Sequence, residues 1–158
     1  MADYPPVGSF VVIRTGGLWA WLIRLGTFSR YNHAAIAGRD GLLVEADPSG
    51  ARYNHIENYP KSRYNAHTAI PEATREQIWQ NAVGLLGRKY GWLDIFALSL
   101  SFFGLRFGWI ADRIKRQDRL ICSQLVVLAY AQAGVYLFDD GRLAQDVTPG
   151  DLADLLID

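Results

Sequence analysis

The spacing of apolar residues changes once along this chain, near Glu72. Before that point, short runs rich in β-branched and aromatic residues alternate with turns containing Gly and Asp, the pattern of strands. After it, apolar residues recur three and four apart, the pattern of helices. A chain ordered this way predicts an α+β domain, with helices packed on one side of a small antiparallel, barrel-like sheet. No repeat, linker or low-complexity stretch divides the 158 residues, so they read as one domain, 1–158. The 16 basic residues balance the 16 acidic ones, which argues against a general nucleic-acid binder. A lone cysteine rules out a disulfide framework and any metal site built on several thiolates.

The elements follow from these patterns. Val7 to Ile13 reads as a first strand and Thr15-Gly16-Gly17 as a turn. Leu18 to Phe28 reads as a helix with Leu18, Trp21, Leu22 and Leu25 on one stripe and Arg24 off it. His33–Ala37 and Leu42–Asp47 form a hairpin across Arg39-Asp40-Gly41, because Asp-Gly tolerates positive φ. Arg52 to Tyr64 is polar and tyrosine-rich and reads as a long loop, followed by a strand from Ala66 to Ile70. Ile78, Trp79, Ala82, Val83 and Leu86 mark a helix that should stop near Gly87. A second helix should follow Tyr90-Gly91, and a third should run from Cys122 to Ala133, closed by Gly134. Thr148-Pro149-Gly150-Asp151 looks like a turn or helix start.

Chemistry centres on Cys122, at the start of a strongly apolar helix. A helix N-terminus favours an anion, and the thiolate is the nucleophilic form of cysteine. Buried inert cysteine is the competing reading. A thiol hydrolase also needs an imidazole to take and return the proton. His55 falls in the expected loop, and His67 lacks an acidic residue nearby in its short element. His33 has Glu45 on the partner strand. With a three-residue hairpin loop, Glu45 lies opposite Ala35 and His33 opposite Asp47, so His33 and Glu45 are diagonal neighbours on one face. A two-residue loop would put them on opposite faces.

Six segments then occur together and in order: Val7-Gly8-Ser9, Thr27-Phe28-Ser29-Arg30-Tyr31-Asn32-His33, Glu45-Ala46, Gly87-Arg88-Lys89-Tyr90, Ile121-Cys122-Ser123-Gln124-Leu125-Val126 and Thr148-Pro149-Gly150-Asp151-Leu152. Together they resemble the circularly permuted papain-like cysteine hydrolases, an NlpC-related group of the YiiX type distantly similar to lecithin:retinol acyltransferases. In that group the histidine strand precedes the cysteine helix, as His33 precedes Cys122 here. The resemblance implies a permuted papain-like fold, Cys122 as nucleophile, His33 as general base and acid, and Glu45 orienting the imidazole. Tyr90 and Ser123 would help at the substrate carbonyl or its oxyanion. The first segment departs from the family's usual Pro-Gly-Asp. The implied activity is hydrolysis of an amide or ester through a thioester, with no metal or organic cofactor. A non-catalytic binding module and an acyltransferase using the same pair remain open alternatives.

The resemblance also implies the partner: an amide or ester substrate, lipid-linked or a cell-wall peptide. Ile95 to Leu105 is apolar, and Arg106 to Arg119 holds five basic residues against Asp112 and Asp118. That juxtaposition suits peripheral contact with an anionic membrane through Ile95–Arg119, a core helix followed by a charged loop being the alternative. Eleven apolar residues are too few to span a bilayer, which needs about 20. The first twenty residues lack a basic n-region, so the expected location is cytoplasmic, with no signal peptide.

Overall fold

A computed structural model of the chain describes residues 4–47, 49–64, 69–90 and 119–156. Five strands form one antiparallel sheet: β1 (Phe10–Ile13), β2 (His33–Ala37), β3 (Leu42–Asp47), β4 (Gly50–His55) and β5 (Ser62–Tyr64). Their order across the sheet is β4-β3-β2-β1-β5, with β4 and β5 as edges. The sheet is therefore open, and the expected barrel-like closure is corrected. Helix α1 (Leu18–Thr27) links β1 to β2. After the sheet come α2 (Glu72–Val83), the short strands β6 (Lys89–Tyr90) and β7 (Arg119–Leu120), α3 (Cys122–Gln132) and α4 (Pro149–Asp154).

The strands sort their side chains by period two. Phe10, Val12, Ala34, Ile36, Val44 and Ala46 face the helices and join Ile78, Trp79, Leu125, Val126 and Tyr130 in the main core. The opposite face gathers Val11, Ile13, Ala35, Ala37 and Leu43 under Ile56, Tyr59 and Tyr64. The segment expected to be an irregular loop, Arg52 to Tyr64, instead supplies most of β4, a 3₁₀ turn (Ile56–Asn58) and β5. Its polar character misleads because β4 is an edge strand, with Arg52 and Tyr53 exposed. In the turn before it, the Ser49 N–H donates to Asp47 Oδ1 at 2.8 Å, and Gly50 takes φ 118°.

Other boundaries depart less. α2 ends at Val83, short of the expected Gly87, because its last turn tightens: the N–H groups of Leu85 and Leu86 donate three residues back, to Ala82 and Val83. The expected strand Ala66–Ile70 falls mostly outside the described residues, and 69–70 is a turn. The helix expected after Tyr90-Gly91, with its apolar stretch and most of the basic segment, also lies outside them. Of the α1 stripe, Leu18, Trp21 and Leu25 face solvent, and Ala20 beside them is buried. α1 is tied through polar groups. Arg24 donates to Thr15 O at 2.5 Å and to Asn32 Oδ1 at 3.3 Å, and Asn32 Nδ2 donates to Thr15 Oγ1 at 2.6 Å.

The turn before β1 requires glycine. Gly8 has φ 78°, donates to Ala37 O at 2.8 Å and accepts from the Tyr130 hydroxyl at 2.7 Å. A Cβ there would lie 2.2 Å from Arg75 O. Gly8→Ala should therefore cost at least about 2 kcal/mol in denaturant unfolding. Gly16→Ala, where a Cβ meets nothing within 4 Å, should change stability by no more than about 0.5 kcal/mol.

Candidate active site

His33 opens β2 and Glu45 sits in the middle of β3. The observed register pairs Ala35 with Glu45, Ile36 with Val44 and Ala37 with Leu43, as the three-residue loop requires. The loop is a 3₁₀ turn, Arg39–Gly41, in which Asp40 and Gly41 adopt φ 54° and 77°. His33 and Glu45 thus share a face, and His33 Nε2 lies 2.9 Å from Glu45 Oε2. His33 is 8% exposed and Glu45 is fully buried.

A buried carboxylate needs donors for both oxygens. Glu45 Oε2 accepts from His33 and from the Tyr59 hydroxyl at 2.7 Å. Oε1 accepts from Asn54 Nδ2 at 2.7 Å and pairs with the Arg52 guanidinium at 3.2 Å. Arg52 faces Glu45 directly across the β3–β4 ladder, and Asn54 is its diagonal neighbour. Asn54 is itself fixed, accepting from the His55 N–H at 2.8 Å and from Asn58 Nδ2 at 2.6 Å. The sequence reading missed Arg52, Asn54 and Tyr59. Arg52 and Asn54 alternate about Tyr53 in the sequence, but their polarity reads equally as that of a loop.

Cys122 approaches from the helical layer. It is the first residue of α3, and Ile121 before it is extended, with φ −101° and ψ 160°. Cys122 is nearly buried and lies within hydrogen-bonding reach of the His33 ring. Glu45 occupies Nε2, so Nδ1 is the ring nitrogen that the carboxylate does not take. Burial works against an imidazolium at His33. The hydrogen bond with Cys122, then the Glu45 bond and the negative charges of both, overcome it and raise the pKa from 6.5 to about 10. Burial likewise pushes the Glu45 carboxyl up, but the His33 hydrogen bond and charge, with Tyr59 and Asn54, hold it at about 2. The pair therefore favours imidazolium and carboxylate together.

Tyr90 and Ser123 stand differently. Tyr90 lies on β6, whose backbone pairs in parallel with β7, Tyr90 opposite Leu120. Its backbone is thus carried next to the segment that leads into Cys122. The Ser123 hydroxyl is buried and donates to Val147 O at 2.5 Å, anchoring α3 to the approach to α4. Only its backbone N–H is left to face an oxyanion. His55 is placed away from this centre, with Nε2 bonded to Asp40 O at 2.7 Å, and His67 lies outside the described residues. Among the described residues, no three His, Cys, Asp or Glu side chains are grouped to hold a metal, and no helix is long and apolar enough to cross a membrane.

The two shifts set opposite limits on stability. Glu45 contributes above its ordinary 4.5 and loses that contribution as pH falls through about 2. His33 contributes fully below 6.5 and loses its part as pH rises through about 10. Thermal unfolding should be most favourable to the native state between these windows, and His33→Gln should flatten the alkaline decline. Tyr59→Phe should lower unfolding stability by roughly 1–3 kcal/mol, because it removes a bond to a buried charge.

No family model matches the chain, and no curated protein matches it in sequence. The chain is similar in structure to a crystal structure described as the metalloprotein YiiX from Escherichia coli O157:H7. The TM-score is 0.62 at 18% identity, over 95% of this chain and 79% of that one. At that identity the likeness concerns the fold alone: this chain has a YiiX-like α+β fold.

Proposed function

We propose that the protein is a thiol hydrolase that cleaves an amide or ester bond through a thioester on Cys122. One observation carries this reading: a cysteine at a helix N-terminus meets an imidazole whose far nitrogen is held by a buried carboxylate. The chain order, histidine strand before cysteine helix, agrees with a permuted papain-like arrangement.

The chemistry follows from the geometry. His33 holds the thiol proton on Nδ1, and the Cys122 sulfur attacks the carbonyl carbon. The carbonyl oxygen takes up the electron pair and faces the first N–H groups of α3, those of Cys122 and Ser123. One such donor is worth roughly 3 kcal/mol of barrier. Reforming the carbonyl expels the amine or alcohol, which leaves with the proton from His33, and the thioester remains. Water then gives a proton to Nδ1 and attacks the thioester, and the thiol is regenerated with release of the acid. Glu45 keeps the ring oriented and stabilises its charged form throughout. The segment Gly87 to Tyr90, fastened beside the approach to Cys122, is suited to hold the substrate carbonyl. A lipid-linked or cell-wall peptide acyl group is the substrate class that the motifs favour.

The structural neighbour's description as a metalloprotein does not transfer on the donor set. Glu45 occupies His33 Nε2 with all its own positions filled, so among the described residues the site offers a thiol and one ring nitrogen. A zinc centre takes three or four protein ligands.

Iodoacetamide tests the reading. Wild-type protein should alkylate at Cys122 near pH 6 at a rate within about tenfold of that at pH 8. His33→Ala should abolish the labelling near pH 6, and Cys122→Ser should give no adduct. Labelling of the wild type only above about pH 8 would favour an inert binding module.

A further inference from the structure

The surface of α1 is unlike the rest of the described molecule. Leu18, Trp21, Leu25 and Phe28 follow one another at spacings of three, four and three, which places them on one face. They are 69%, 51%, 44% and 93% exposed. Scattered exposed apolar residues are ordinary, whereas a continuous stripe on one helix marks a surface that meets something. Phe28 adds a second observation. It caps the helix in the left-handed region at φ 50°, which a bulky side chain rarely adopts, and its ring stands clear of the protein.

Charge says what the stripe meets. The chain is neutral overall, yet from Arg14 to Arg30 it contains three arginines and no acidic residue. Arg14 and Arg30 bracket the helix and are exposed. Arg24 is half-buried and fixed to a carbonyl and an amide, not to a carboxylate, so its charge is not neutralised by that contact. Phe28 and Arg30 also border a groove of about 390 Å³ that Arg63, Asp151 and Asp154 line as well. The Asp151 carboxylate is taken up by Thr148 and Arg142. Aromatic and leucine side chains on one helix face, flanked by arginine, match the boundary between headgroups and acyl chains in an anionic leaflet. Tryptophan is especially suited to that depth.

We infer that the Leu18–Phe28 face of α1 docks the protein on an anionic lipid surface. Leu18, Trp21, Leu25 and Phe28 enter the acyl boundary, and Arg14 and Arg30 meet the phosphates. The inference is independent of the chemistry assigned to Cys122.

Co-sedimentation of the full chain with phosphatidylcholine vesicles, with and without phosphatidylglycerol, tests this. The wild type should bind the anionic vesicles, and added salt should weaken the binding. Trp21→Ser with Phe28→Ser should reduce partitioning roughly tenfold or more. Arg14→Gln with Arg30→Gln should reduce it while abolishing the salt dependence. Both variants change exposed side chains and should keep the wild-type unfolding midpoint. Wild-type protein that stays in the supernatant would overturn the inference, as would variants that sediment like the wild type. Dimerisation in solution that disappears in the Trp21→Ser, Phe28→Ser variant, without vesicle binding, would assign the face to a second copy instead.

Discussion

The Glu45 carboxylate, fully buried in the middle of β3, is the constraint on which the site depends. A charge in that position is tolerable only when each of its lone-pair directions finds a donor. Four groups from three stretches of chain provide them: His33 from β2, Arg52 and Asn54 from β4, and Tyr59 from just beyond the turn that follows β4. Replacing any one would leave a polar group stranded rather than merely remove a contact. The small apolar cluster on that face of the sheet, from Val11 to Leu43 under Tyr59 and Tyr64, keeps water from competing for these bonds.

The other half of the site is a matter of where the helical layer ends. α3 packs its buried residues, Leu125, Val126, Ala129 and Tyr130, against the opposite face of the sheet, so its N-terminus is delivered near the opening of β2. Short polar ties hold it there. Ser123 is bonded to Val147, and Thr148 caps α4 in a reciprocal arrangement with Asp151. Gly87 and Arg88 exchange backbone bonds with Ala51, which carries β6 to β7 and so to Cys122. Most of the recurrent sequence segments therefore act as fasteners. Cys122, His33 and Glu45 are brought together by them.

The division of labour between the two faces of the sheet also accounts for α1. With one face taken by α2 and α3 and the other by the β4–β5 connection, the first helix is tied through Arg24 and Asn32 while Leu18 and Leu25 stay exposed. Its amphipathic spacing is real. The partner of that apolar face is not among the described parts of this molecule.

How much was legible in the sequence differs between the two halves of the site. The strands His33–Ala37 and Leu42–Asp47, their register, and the placing of His33 beside Glu45 follow from local rules: strand alternation and a three-residue loop at Asp-Gly. The start of α3 at Cys122 follows from helical periodicity. These are short-range preferences, written in neighbouring residues. Arg52, Asn54 and Tyr59 were not legible as a cradle, because polar residues on an edge strand look like those of a loop until a buried charge is placed beneath them. The outward turn of the α1 stripe was equally hidden, since periodicity reports that a face exists and not what covers it. Local chemistry thus determined which side chains were available and on which faces they stood. Only the packing of α3 against the sheet decided that a sulfur and an imidazole 89 residues apart in the chain would meet, because burial of apolar surface fixes distances that sequence spacing cannot.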